Sequence, residues 1–132
     1  MSPEVIEMNR PITPASASCV LFLLFSAFAP AATLRVGPNR QFSKPSQAIQ
    51  AAKDGDTIEI EAGVYPGDVA TIRANHLTIR GVGNGRARLP ANGKDAGGKA
   101  IWVVAGSDLT VENIEFSGAR VRDRNGAGMR PE

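Results

Sequence analysis

One short triplet recurs along the chain, and it restricts the possible folds more than any other feature. Threonine, a β-branched aliphatic residue and a charged residue follow one another at Thr57-Ile58-Glu59, Thr78-Ile79-Arg80 and Thr110-Val111-Glu112. The spacings are 21 and 32 residues. Recurrence at roughly 20–30 residues is typical of solenoids, and unequal spacing fits turns of different lengths between strands of constant length. The triplets therefore predict a stack of parallel strands about 4.8 Å apart.

Alternation along each strand assigns a side to every triplet position. The middle residues, Ile58, Ile79 and Val111, are predicted to point inward as an aliphatic ladder, and the threonines to point outward. The charged third positions also point outward, with signs minus, plus and minus. Unlike neighbours across strands contribute roughly 0.2–1 kcal/mol per pair, which favours this register. An antiparallel sandwich could give the same pattern by chance, and a structure with Arg80 remote from both glutamates would contradict the register.

A single helix is expected before the strands. Ser43 or a neighbour can cap it, Pro45 suits its first turn, and Gln47 to Lys53 continue it. Gly55, between two aspartates, is expected to end the helix in a left-handed conformation. From Asp56 onward the sequence reads as short strands between glycine-rich turns, with no second helix.

The first 32 residues have the organisation of a secretory signal. Val20–Ala29 is an apolar run of about ten residues, and Pro30-Ala31-Ala32 follow it. Such a run is too short to span a bilayer, which requires roughly 20 apolar residues. Residues 1–32 are therefore predicted to be a signal peptide. We infer Met8 as the natural start, because a leader that begins there is net positive.

Charge and cysteine content limit the expected partners of residues 33–132. The chain has a net charge of +2, and removing Glu4, Glu7 and Arg10 with the leader raises it to +3. This weak balance argues against nucleic acid, which calls for a concentrated basic face, and leaves an acidic substrate open. The only cysteine, Cys19, lies in the leader, so no disulfide is expected after cleavage. The protein is expected to be secreted or periplasmic, with no stable membrane anchor.

The helix-then-strand string from Gln47 to Ile58, running into Ala62-Gly63-Val64-Tyr65, resembles the start of pectin-lyase-like right-handed parallel β-helix proteins. Leu77–Gly81 and Leu109–Ile114 look like two coils of that family. The similarity covers about residues 33 to 120. It implies an all-β fold, a right-handed parallel β-helix, whose first coil is covered by a short capping α-helix. Such a cover is needed because an open parallel stack is a template for aggregation.

The resemblance also implies a longer protein, because family members continue through many more coils. After Phe116 the sequence predicts neither a second amphipathic helix nor a capping strand. We therefore expect residues 33–132 to comprise the capping helix and the first two to three coils of a β-helix that is incomplete at its C-terminus. Its open C-terminal edge could self-associate. About 100 residues also make a thin core of marginal stability.

The family's chemistry is carbohydrate processing by lyases, hydrolases and epimerases that act on acidic polysaccharides. Its lyases take a proton beside a uronate carboxylate with Arg or Lys, while Ca²⁺ neutralises the substrate. Those groups belong to central coils, and no residue of this chain matches them, so no catalytic, cofactor or metal residue is predicted and Ca²⁺ is expected only in missing coils. We expect a non-catalytic fragment, with acidic polysaccharide as its partner. Two alternatives remain: a glycan-binding or surface module, and a gene remnant without function.

Local candidates for chemistry each have a simpler structural interpretation. Asp54 and Asp56 could bind Ca²⁺, but a helix stop is favoured. Glu112 and Glu115 are expected on opposite faces of one strand, which suits paired catalysis poorly. His76 has no cysteine or second histidine near it and is interpreted as structural or exposed.

Trp102 is the one residue retained as a candidate glycan contact. It lies in a predicted strand, Ile101–Val104, between Ile101 and Val103. If these two neighbours face inward, alternation turns Trp102 outward, where an indole ring could stack on a sugar. Cover by a neighbouring loop is the competing interpretation.

Overall fold

The structure, a computed structural model, describes residues 30–120 and 126–132. Nearly all of the predicted leader, with Met8 and Cys19, lies outside the described residues. Ala31–Glu132 forms a compact unit by itself.

The unit consists mainly of strands, and every pairing between named strands is parallel. A large sheet has the order β1-β2-β4-β6, with β7 also paired to β4, and a small sheet has the order β3-β5-β8. The predicted all-β class, with one short helix among the described residues, is confirmed. The elements are β1 (Thr33–Val36), α1 (Pro45–Ala51), β2 (Thr57–Val64), β3 (Ala70–Ile72), β4 (Thr78–Pro90), β5 (Ala100–Val104), β6 (Thr110–Glu112), β7 (Ile114–Ser117) and β8 (Ala127–Pro131).

The predicted register of the triplets is confirmed residue by residue. Thr57 pairs with Thr78, and Thr78 in turn pairs with Thr110, so that all three triplets lie in line. The structure adds a fourth member, because Thr33-Leu34-Arg35 pairs in the same way with the triplet at Thr57. We call these four levels rungs. Four rungs in one register mean that each triplet position forms a continuous column along the large sheet.

The charged column alternates in sign along all four rungs. Glu59 forms ion pairs with Arg35 at 3.0 Å and with Arg80 at 2.6 Å, and the next residue in the column is Glu112. The hydrogen bond from the Arg80 guanidinium, assisted by the charges of both arginines, lowers the pKa of Glu59. The same bond raises the pKa of Arg80. The column therefore stabilises the register that the sequence predicts.

The aliphatic column forms the centre of the core. Ile58 and Ile79 on the two inner rungs are completely buried, whereas Leu34 and Val111 on the outer rungs are only partly buried. The inner residues have a rung on either side, which explains the difference. Both sheets, and Leu77 just before β4, contribute further fully buried side chains to the same cluster. The sheet residues are Val36, Ile60, Ile72, Leu89, Ile101 and Trp102.

Helix α1 packs against β1, β2 and β3 through Ala48 and Ile49. At its start, the Gln47 side chain accepts the backbone N–H of Ser43, a variant of the cap expected from the sequence. Asp68, only 8% exposed, accepts the backbone N–H of Ser46 at 2.8 Å and its hydroxyl at 2.6 Å. These bonds satisfy N–H groups that a helix start otherwise leaves without partners.

The helix is shorter than the sequence predicts. It ends at Ala51, since Ala52 is extended (ψ 144°) and packs against the core. Gly55 is left-handed (φ 86°), but it lies in the following turn and does not end the helix. The role assigned to Gly55 was wrong, because the backbone already leaves the helical conformation at Ala52, which packs against the core.

One other local prediction was wrong. The glycine-rich stretch after Arg80 is not a gap between strands, since β4 runs on to Pro90 with an irregularity in its pairing to β2. Gly81 fits there because a Cβ atom at that position would overlap the carbonyl oxygen of Asn113. A further strand follows Phe116: β8 extends the small sheet by pairing with β5.

Candidate functional site

A groove of about 580 Å³ lies between α1 and the small sheet. A smaller depression of about 200 Å³ shares two of its lining residues, Thr71 and Arg73, and extends to Lys99 and Glu132. We call the two together the small-sheet groove. Its helix side contributes Ser46, Ile49, Gln50 and Ala52, and its sheet and loop side contributes Val69, Ala70, Thr71, Arg73, Ala74, Ala96, Gly97, Lys99, Val103 and Glu132.

The strands set which side chains face this groove. Ile72 is fully buried, so alternation along β3 turns Thr71 outward. Thr71 pairs with Val103 of β5, and Val103 pairs with Arg130 of β8, which places the three in one row. Val103 is nevertheless only 4% exposed, because it packs in a second small cluster with Ala96.

The loop before β5 is fixed by its own hydrogen bonds. Ala96 donates its N–H to the carbonyl of Ala100 at 2.6 Å, and the Asp95 carboxylate accepts the N–H of Gly98 at 2.7 Å. Lys99 leads directly from this loop into β5. Its backbone position is therefore set by the fold.

The electrostatics of the groove are dominated by cations. Within residues 30–120 and 126–132, neither Arg73 nor Lys99 has an ion-pair partner. The Glu132 carboxylate lies at the same depression and reduces the positive charge there. The remaining positive field attracts anions from solution. At about 0.1 M salt this field is largely screened beyond about 10 Å. Sequence reasoning missed Arg73 and Lys99, because an isolated cation beside a turn carries no local signal.

Trp102, the predicted glycan contact, is not at the surface. It is 0% exposed and packs edge-on against Phe116, with ring centroids 5.0 Å apart and planes at 79°. Ile72 of β3 is buried, and Ala70, two residues earlier, lies on the same face of the strand. Trp102 pairs with Ala70, so the indole points to that inner face as well. The predicted outward orientation was wrong, and a ring without an accessible face cannot stack on a sugar. Within the described residues the indole Nε1 has no hydrogen-bond partner.

The two aspartates beside Gly55 bind backbone groups. Asp54 accepts the N–H of Asn75 at 2.8 Å, and this backbone hydrogen bond lowers the pKa of Asp54. Asp56 accepts the N–H of Ala32 at 2.8 Å and that of Lys53 at 2.9 Å. The structure thus favours the structural interpretation of this pair. No group of three potential metal-ligating side chains occurs in the part of the chain that is described.

The remaining titratable candidates are dispersed. Glu112 and Glu115 belong to different strands, β6 and β7, separated by the left-handed Asn113 (φ 57°), so the expectation of one continuous strand was wrong. Glu115 faces Arg88 at 3.5 Å. His76 is exposed, as one interpretation held, and its Nδ1 lies 3.0 Å from an exposed carboxylate of Asp108.

Comparison with protein-family models, with curated proteins and with solved structures finds no match to this chain. Among the residues described, no helix is long and apolar enough to cross a membrane.

Proposed function

We propose that the chain is an exported right-handed parallel β-helix of the pectin-lyase-like type. The support is the four-rung register of the large sheet, together with a chain path that alternates between the two sheets from β2 to β6. Helix α1 packs at the first rungs, as a cap would. Cell fractionation with an antibody against the chain tests export, and an experimental structure tests the handedness.

We further propose that the protein binds acidic polysaccharide in the small-sheet groove, as a binding module without catalysis of its own. The observation that carries this proposal is the presence of Arg73 and Lys99, both without ion pairs in the described residues, along one open groove beside a parallel sheet. Carboxylates spaced along a uronate polymer would engage both cations in succession. Thr71 and Gln50 offer hydrogen bonds to sugar hydroxyls.

Affinity in this arrangement is weak and depends on salt. Exposed ion pairs contribute about 0–1 kcal/mol each, and Glu132 repels carboxylates at one end of the groove. A polymer compensates for weak single contacts, because once one carboxylate is bound the next carboxylates of the same chain are present at a high effective concentration. Binding should therefore be measurable with polymers and negligible with a single uronic acid.

Gel electrophoresis through polygalacturonate, with neutral galactan as the reference polymer, tests the proposal. The wild-type protein should be retarded only by polygalacturonate, and 0.5 M salt should abolish the effect. Arg73→Gln and Lys99→Gln should each weaken retardation several-fold. Arg86→Gln is the matched control, since it removes the same charge from an exposed position of β4 outside this groove. Equal losses in all three variants, or no retardation of the wild type, would refute the assignment. Release of an ultraviolet-absorbing unsaturated product with Ca²⁺ would indicate a lyase instead of a binding module.

A further inference from the structure

Asp56 is a nearly buried carboxylate without a cation. It is 6% exposed, and its two oxygens accept the backbone N–H groups of Ala32 and Lys53. No described residue forms an ion pair with it. A buried charge is stabilised fully only when it is both hydrogen-bonded and paired. One of the two N–H groups belongs to the segment where the predicted leader ends.

The sequence around Ala32 matches a leader-peptidase site at a particular bond. Ala29-Pro30-Ala31 is an Ala-x-Ala string, and such a string directly precedes the cleaved bond. The bond so indicated joins Ala31 to Ala32. Cleavage there removes 31 residues, one fewer than the 1–32 boundary drawn from the sequence.

We propose that a leader peptidase hydrolyses the Ala31–Ala32 bond and that the new amino terminus pairs with Asp56. Water is consumed, Ala31 leaves with the carboxylate, and Ala32 retains the nitrogen as an ammonium group. That nitrogen already lies 2.8 Å from Oδ1 of Asp56. Cleavage therefore replaces the amide N–H by an ammonium group, and the folded protein holds an ion pair where this hydrogen bond lies. The inference rests on the proposed export of the protein.

Cleavage after Ala32 or after Ala29 would lose this contact. A cut after Ala32 removes the donor to Asp56, and it also removes the Ala32 carbonyl that accepts the N–H of Thr57 at 2.9 Å. A cut after Ala29 leaves Ala32 as an amide and puts the charge on Pro30, two residues away. The position between Ala31 and Ala32 alone puts a charge on the nitrogen that Asp56 already binds.

The ion pair makes stability depend on pH in the alkaline range. An unpaired α-amino group titrates near pH 8, at about 7.7–8.0, and the carboxylate partner raises that pKa in the folded state. The added stability is therefore complete below about pH 8 and is lost as the pH rises through the folded pKa. An opposite charge this close shifts a pKa by at least about one unit, and one unit corresponds to about a tenfold change in the unfolding equilibrium constant.

The first experiment is N-terminal sequencing and intact-mass measurement of the protein exported from its full precursor. The expected first residue is Ala32. Thr33 or Pro30 as the first residue overturns the assigned bond but leaves the proposed export intact. A precursor that stays uncleaved inside the cell overturns the export proposal and this one together.

The second experiment follows urea unfolding of the exported protein between pH 7 and pH 10.5. We expect the unfolding constant to rise about tenfold across this range in the wild type and in the matched control Asp54→Asn. It should stay nearly constant in Asp56→Asn. If Asp56→Asn does not fold, the uncleaved precursor serves instead, because its Ala32 nitrogen is an amide and cannot titrate. A wild-type slope that neither change removes would overturn the ion pair.

Discussion

Replacing Ile79 with alanine tests the aliphatic column at its most sensitive point. Ile79 is 0% exposed and lies between Ile58 and Val111 in register. The substitution removes three carbon atoms, each worth about 0.8 kcal/mol of transfer free energy. A cavity term raises the expected loss to about 3–4 kcal/mol. That is a large part of the stability of a domain of about 100 residues, which is roughly 5–15 kcal/mol.

The same truncation on the outer rungs should destabilise less. Leu34 and Val111 are only partly buried, so Leu34→Ala and Val111→Ala should each lower the free energy of unfolding by about 1–2 kcal/mol. Thr78→Ala is the control, because Thr78 precedes Ile79 and points away from the core. Its effect should stay within about 0.5 kcal/mol.

Urea unfolding followed by far-ultraviolet circular dichroism and by tryptophan fluorescence measures these differences. Trp102 is the only tryptophan of the chain and is completely buried, so its emission reports on the core directly. A loss of stability in Leu34→Ala or Val111→Ala as large as that in Ile79→Ala would refute this prediction. Such a result would mean that the outer and inner rungs have equal neighbours.

Three further substitutions have expected outcomes. Because its pKa is lowered, Glu59 stabilises the fold above pH 4.5, and this contribution is lost as the pH falls through its folded pKa. At low salt, Glu59→Gln should therefore make the free energy of unfolding depend less on pH on the acid side. An unchanged pH dependence would contradict the charged column. Gly81→Ala should lower the free energy of unfolding by about 1–3 kcal/mol, since the new Cβ overlaps the Asn113 carbonyl. If the variant melts at the same temperature as the wild type, the bend between β6 and β7 can relax and the prediction is wrong. Asp68→Ala should lower the free energy of unfolding by about 1–2 kcal/mol, because the N–H of Ser46 loses its acceptor. Amide hydrogen exchange in α1 should become faster, and unchanged exchange there would refute the role of Asp68 at the helix start.

The columns of the large sheet were predictable because two independent patterns agree there. Alternation placed Ile58 and Ile79 inside, and the opposite signs of Glu59 and Arg80 selected the same register. The first rung was missed although Thr33-Leu34-Arg35 has the same form, because leucine is not β-branched and the triplet adjoins the leader. Register was therefore recoverable wherever a polar and an apolar signal coincided.

The phase of β5 was not predictable in this way. Ile101, Trp102 and Val103 are consecutive apolar residues, so alternation permits two opposite assignments. All three are buried, and Val103 owes its burial to the loop at Ala96 and not to the main core. Only the pairing of Trp102 with Ala70 decides the matter, and that pairing is a long-range fact. The presence of Arg73 and Lys99 at one groove was not predictable either, because it too depends on long-range pairing of the strands.

The alternating charge column limits how a protein of this kind can change in length. Its signs run plus, minus, plus and minus from Arg35 to Glu112. Duplicating a single rung, or deleting an inner one, would put two like charges side by side, which is unfavourable in a sheet. Duplicating or deleting two consecutive rungs preserves the alternation. Evolution by internal duplication should therefore favour adding rungs to this stack two at a time, because only then does every charge keep opposite charges beside it.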